Sequence, residues 1–143
     1  MGYINRVTSW WGKGVTRDLG VPGETTSTTI DYNYLLLGYW TCQGSPQDIA
    51  QLWATIGNYG VENHELGTKY VQASLRKKYN DNGMRILVSA FGNYEFPNTG
   101  STDGFKCGQS LANFVKENNL DGAVADWEDN GALKTGNGEE WLI

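Results

Sequence analysis

The stretch Leu120-Asp121-Gly122-Ala123-Val124-Ala125-Asp126-Trp127-Glu128-Asp129-Asn130 limits the fold more than any other part of the chain. It opens on Asp-Gly, runs through small and apolar residues, and closes on two carboxylates separated by one position. As a strand it alternates faces, so Gly122, Val124, Asp126 and Glu128 point one way and Asp121, Ala123, Ala125 and Trp127 the other. The two acids then stand at the C-terminal end, where parallel α/β sheets and barrels build their active sites. Two carboxylates ~6–7 Å apart, the rise of two residues, can be driven to different protonation states, one acid and one ion.

The remainder reads as a scaffold for this strand. A chain of 143 residues makes a single domain, 1–143, with enough length to bury a core. Residues 4–10 read as a short first strand, and the Gly-rich stretch 11–23 and Thr25–Thr29 as loop. The nearly continuous apolar run 32–40 fits a strand buried on both faces, as parallel strands are. Ser45, Pro46 and Asp48 form a helix start, with Ser as N-cap and Pro at the first helical position. Ile49, Leu52, Trp53 and Ile56 keep helical spacing, and Gly57 and Gly60 end it.

A second helix is expected over 67–79, followed by the turn Asn80-Asp81-Asn82-Gly83. Residues 84–91 (Met-Arg-Ile-Leu-Val-Ser-Ala-Phe) read as the clearest strand, and 92–102 as a loop carrying Tyr94, Phe96 and Pro97. A helix follows over 103–118, then the strand 121–128. The remainder is polar and Gly-containing, turning helical only from Glu139. The order is α/β, with parallel strands and crossover helices, and it matches the first four strands of a (β/α)8 TIM-like barrel, a half barrel.

The acidic stretch resembles the catalytic strand of the family 18 glycoside hydrolases, the chitinases and endo-N-acetylglucosaminidases, whose pattern is Asp-x-x-Asp-x-Asp-x-Glu. Asp121, Gly122, Asp126, Trp127 and Glu128 occupy matching positions, while Val124 replaces the middle Asp. Ser89-Ala90-Phe91-Gly92 is similar to the family's Ser-x-Gly-Gly strand end, with Phe91 in place of the first Gly. The resemblance implies a substrate carrying N-acetylglucosamine, as oligosaccharide or polysaccharide, and substrate-assisted retaining hydrolysis. It makes Glu128 the acid that protonates the glycosidic oxygen and later activates water, and Asp126 the group that orients the substrate's 2-acetamido arm. In the family the middle Asp shares a proton with the next one, so Val124 implies impaired turnover.

Asp121 and the strand-end aromatics Trp10, Tyr39, Trp40 and Tyr94, with Trp11 beside them, are the expected sugar contacts. Trp127 faces away from the interior by parity and packs behind the strand, and Asp129 is expected as a solvated loop residue or a turn cap. The family's later strands supply a Tyr and a Trp to the sugar site that nothing after residue 143 can supply. A half barrel also exposes a strand edge. A homodimer closing the barrel is therefore the expected association. A rival reading is a non-catalytic carbohydrate-binding protein of the same shape, lectin-like or secreted and immunomodulatory.

Composition excludes other classes. A net charge of −5, with no basic run longer than Arg76-Lys77-Lys78, argues against nucleic acid and anionic membrane surfaces. That basic run reads as a solvated helix face. No apolar stretch approaches the ~18–20 residues of a membrane span. With one histidine, His64, and no Cys-x-x-Cys, no metal site is expected, and no cofactor. Met1–Arg6 lacks the apolar core of a secretory leader, so the chain reads as cytosolic or as a mature form; a secreted location is the expectation. Cys42 and Cys107 pair if both lie near the tops of adjacent strands; two unpaired cysteines are the other reading.

Overall fold

In a computed structural model, residues 7–9, 34–59, 61–63, 68–70, 72–81, 83–98 and 101–142 are described. The expected loops before residue 34 lie outside them, as do Trp10 and Trp11. Four strands form one parallel sheet: β1 (Val7–Ser9), β2 (Tyr34–Trp40), β5 (Arg85–Gly92) and β6 (Gly122–Trp127), in the order β1-β2-β5-β6. Helices α1 (Asp48–Tyr59) and α2 (Gln72–Asp81) connect β2 to β5, and α3 (Gly104–Glu117) connects β5 to β6. The parallel α/β architecture expected from the apolar runs and their spacing is the one found.

The middle strands are apolar because helices cover one face of the sheet. β2 alternates buried with half-buried residues, not the burial on both faces expected, and β6 at the edge leaves Ala123, Val124 and Ala125 exposed. Leu35 and Leu37 of β2 and Ile86, Val88 and Ala90 of β5 alternate onto one face, each 3% exposed or less. Against them pack Ile49, Ala50 and Trp53 of α1, Tyr79 of α2 and Cys107 of α3. Each fully buried aliphatic or aromatic side chain contributes about 1.5–3 kcal/mol relative to exposure. The α3 contact face follows helical spacing, with Cys107, Leu111, Phe114 and Val115 on the core. Asp103 caps that helix by accepting from the Lys106 N–H at 3.0 Å.

Polar bonds lock the helices together. Trp53 donates its indole N–H to the Asn118 carbonyl at 2.7 Å, and the buried Gln72 amide donates to the Trp53 carbonyl, also at 2.7 Å. Cys42 and Cys107 form a disulfide, Cα atoms 5.5 Å apart, which ties the loop after β2 to the first turn of α3. Glu95 adds a second tie, its carboxylate accepting the backbone N–H groups of Cys42 and Gln43.

Several expectations need correction. The helix expected over 67–79 begins at Gln72; Thr68–Tyr70 is instead strand β4, paired antiparallel with β3 (Val61–Asn63). The first helix starts at Asp48, because Gln47 is taken up in a two-way backbone pairing with Tyr39 (2.7 and 3.1 Å). Its carbonyl also accepts the Gln51 N–H, so Gln47, not Ser45, occupies the cap. Gly57 does not end the helix, which continues to Tyr59.

Past β6 lie two further short helices, α4 (Asn130–Thr135) and α5 (Gly138–Leu142). Asp129 is 1% exposed and caps α4 by accepting from the Ala132 N–H at 3.2 Å; it is a cap, but not a solvated one. Arg76 is not merely solvated either, since it reaches Asp121 at 2.8 Å. Among the described residues no helix is long and apolar enough to cross a membrane.

Candidate active site

The face of the sheet away from the helices is built in rows. Leu36 aligns with Leu87 and Gly122, and Gly38 with Ser89 and Val124. Gly122 is small for a reason: a Cβ there would lie 3.2 Å from Cδ2 of Leu87. Beyond these rows the regular pattern breaks. A register shift between Gly38 and Trp40 sets Trp40 opposite Ala90. Phe91 has φ +76°, the left-handed region that glycine adopts freely and other residues enter at about 1–2 kcal/mol. This is the position at which the resembled strand end carries glycine.

The break decides which aromatics reach the site. Phe91 turns into the core, where its ring meets Trp40 at 6.2 Å and Trp141 at 5.6 Å, both edge-on. Trp40 is 5% exposed, so it offers no ring face to a sugar, contrary to its expected role as a sugar contact. Trp127 packs behind the strand, over Gly138, where a Cβ would come within 2.5 Å of its Cη2. Trp10, the remaining tryptophan expected at the site, lies outside the described residues.

Tyr39 goes the other way. Its ring lies across Gly92, where a Cβ would stand 2.5 Å from Cε1 and 2.7 Å from Cδ1. Gly92 pairs with Trp127 of β6, so the ring crosses the middle strand toward the end that carries Asp126 and Glu128. The phenol's pKa is raised, first by burial and then by the negative charges of Asp126, Glu128 and Asp48. Asp126 and Glu128 stand at and just past the C-terminal end of β6, and Asp48 at the start of α1, near enough for their charges to act on that hydroxyl. Glu128 is exposed and Asp126 half-buried.

Tyr94, on the loop after β5, completes the wall. Its ring lies 5.6 Å from that of Tyr39, tilted by 42°, and its hydroxyl donates to Asp48 Oδ2 at 2.7 Å. That bond, to an acceptor charge, raises the Tyr94 pKa. Asp48 has no signal in the sequence beyond its place at a helix start, and the structure adds it to this wall.

Asp121 belongs elsewhere. It precedes β6, at the opposite end of the strand from Glu128, and its side chain is only 7% exposed. Oδ2 accepts the Ile86 N–H at 2.8 Å, Oδ1 accepts from Arg76 Nε at 2.8 Å, and Arg85 lies 3.8 Å away. The residue expected to touch sugar instead pins the start of β6 to the start of β5. Among the described residues, no group of three or more His, Cys, Asp or Glu side chains could hold a metal ion.

Tyr39 and Tyr94 therefore lie together at the sheet edge where β6 carries Asp126 and leads into Glu128, and Trp40 and Asp121 do not join them. Two carboxylates near a strand end beside a pair of tyrosine rings are groups suited to proton transfer and to packing on an apolar ligand face. No family model and no curated protein matches the chain. Among solved structures, the chain is similar to a GH18 chitinase from Pseudoalteromonas aurantia, at 21% sequence identity and a TM-score of 0.61, over 98% of this chain and 48% of that one. The likeness is one of fold, and the chain spans about half the length of the structure it matches: a parallel α/β half barrel.

Proposed function

We propose that this chain carries the acid-bearing part of a chitinase-like glycosidase, acting on glycans that contain N-acetylglucosamine by substrate-assisted, retaining hydrolysis. The observation that carries the reading is the Tyr39 ring lying over Gly92, the residue paired with Trp127 between Asp126 and Glu128 at the C-terminal end of β6. Glu128 is exposed, as a group that must reach a bridging oxygen has to be. It gives its proton to that oxygen as the bond to the anomeric carbon breaks, and the electron pair leaves with the departing sugar. Asp126 holds the 2-acetamido group so that its carbonyl oxygen attacks the anomeric carbon from the opposite face. Water then opens the cyclic intermediate, returning its proton to Glu128 and restoring the original configuration. The fold likeness to a chitinase supports the same substrate class.

A second reading is favoured by one observation. Val124 stands in the row of Gly38 and Ser89, beside Asp126, and is 37% exposed. No carboxylate occupies that position to share a proton, and a protein that binds glycans without cleaving them has no need of one. Fluorophore release from a chitotriose conjugate, run beside Glu128→Gln, separates the two. Turnover that disappears in the variant supports the glycosidase; chitin retention without turnover supports the binder. We also propose that two copies associate, because β6 is an edge strand of the described sheet with Ala123, Val124 and Ala125 all exposed. Light scattering tests this, and a 15.8 kDa species at all concentrations refutes it.

A further inference from the structure

Four features hold Tyr39 in place. Gln47 pairs with its backbone in both directions, and its ring occupies the space that a side chain at Gly92 would fill. Gly92 itself has φ +53°, so two independent constraints call for glycine there. The third support is the Tyr94 ring at 5.6 Å. Tyr94 is 49% exposed and sits on a loop, so packing alone does not fix it. The fourth is the group that anchors Tyr94: Asp48, whose carboxylate accepts the phenol proton at 2.7 Å. Asp48 directly follows Gln47 and takes φ +44°, an unusual conformation for a non-glycine residue at a helix start. Local backbone strain at a residue whose side chain holds an exposed loop aromatic is the pattern of a residue kept for its reach.

We propose that Asp48 is a positioning residue of the sugar-binding wall: it fixes the Tyr94 phenol and, through the Tyr94 ring, holds Tyr39 over Gly92 at the end of the sheet where β6 carries Asp126 and leads into Glu128. The inference rests on the glycosidase reading of that edge. Asp48 itself touches neither acid nor linkage in this scheme, so it governs binding and not the chemical step. Hydrogen bonds to a charged acceptor are short and about twice as strong as neutral ones, which suits one carboxylate to ordering an exposed loop aromatic.

Three measurements on the intact chain test it. In Asp48→Ala the KM for a chitotriose conjugate should rise about 10–150-fold with kcat within about 2-fold, the range of one charge-assisted hydrogen bond. Asp48→Asn, which keeps a neutral acceptor oxygen in place, should recover about half of the loss on a logarithmic scale. Tyr94→Phe should match Asp48→Ala, and the double variant should be no worse than either, because both act through one bond. With 13Cζ-labelled tyrosine, the Tyr94 ionisation midpoint should fall toward the ordinary value in Asp48→Ala and stay put in Asp81→Asn, whose charge is remote.

A loss in kcat with KM unchanged, additive losses in the double variant, or an unmoved Tyr94 midpoint overturns the proposal. If wild-type protein neither binds nor cleaves chitotriose while the Tyr94 midpoint still answers to Asp48→Ala, the glycosidase reading itself has failed, and the sugar-binding role of Asp48 with it.

Discussion

Replacing Asp121 with Ala should destabilise the fold without weakening sugar binding by the molecules that remain folded. The side chain is 7% exposed and accepts the Ile86 N–H at 2.8 Å, a donor that has no alternative partner once the carboxylate is gone. Leaving that donor unsatisfied costs about 1–3 kcal/mol. The paired Arg76 is 38% exposed and can return to water, so the lost ion pair adds only about 1 kcal/mol. The sum is about 2–4 kcal/mol. At about 2.1 cal/mol/K of unfolding entropy per residue, 143 residues give about 0.3 kcal/mol/K, and Tm should fall by about 7–13 °C. Thermal unfolding followed by circular dichroism gives the shift, and chitotriose titration well below the transition gives the affinity. A Tm unchanged within about 2 °C, or an affinity lost while Tm holds, refutes the structural role assigned to Asp121.

Other perturbations have equally definite outcomes. Trp40→Ala should cost about 3–5 kcal/mol, as large-to-small core changes do, and should leave sugar affinity intact; lost affinity in a stable protein contradicts its burial. The disulfide closes a sequence separation of 65, worth about 4 kcal/mol in the chain-entropy model, so dithiothreitol should lower the urea midpoint markedly, and Cys42→Ser should be insensitive to it. Gly92→Ala should destabilise by about 1–3 kcal/mol and weaken chitotriose binding, because its Cβ would displace Tyr39; binding at full strength speaks against the wall described above. Burial pushes the Tyr79 phenol well above its ordinary value, so the folded state keeps a proton that the unfolded chain gives up near pH 10. Stability should therefore fall as pH rises above about 10, and Tyr79→Phe should flatten that slope in urea midpoints taken from pH 9 to 11.5.

The sheet was legible because its two middle strands are apolar and largely buried. Runs such as Leu35–Leu37 and Ile86–Val88 cannot be exposed, and the helix between them announces its core face by the spacing of Ile49 and Trp53. The β3–β4 hairpin was not legible. Val-Glu-Asn and Thr-Lys-Tyr are three-residue strands with no alternation to read, and the second sits at the front of a stretch that also suits a helix. Helix α4 was missed because its start depends on Asp129, whose burial beneath the capped turn has no local signature.

At the site, residue type was legible and direction was not. Asp121 and Asp126 flank the same strand, yet one is at the structural end and the other at the open edge. Tyr39 and Trp40 are adjacent aromatics at one strand end, and the register shift after Gly38 sends one across Gly92 and the other into the core. The shift falls opposite Ser89 and Ala90 of the partner strand, and no pattern within 34–40 encodes it. The Asp48–Tyr94 bond joins positions 46 residues apart and is invisible to any local reading.

The configuration of freshly released product tests the paired-acid account most directly. Chitotetraose mixed with the protein in an NMR tube should first yield reducing ends in the β-anomeric form, which then drift to equilibrium, and Glu128→Gln should yield none. Initial α-anomer, or release that continues in the variant, contradicts the assignment of Asp126 and Glu128 to a shared retaining site.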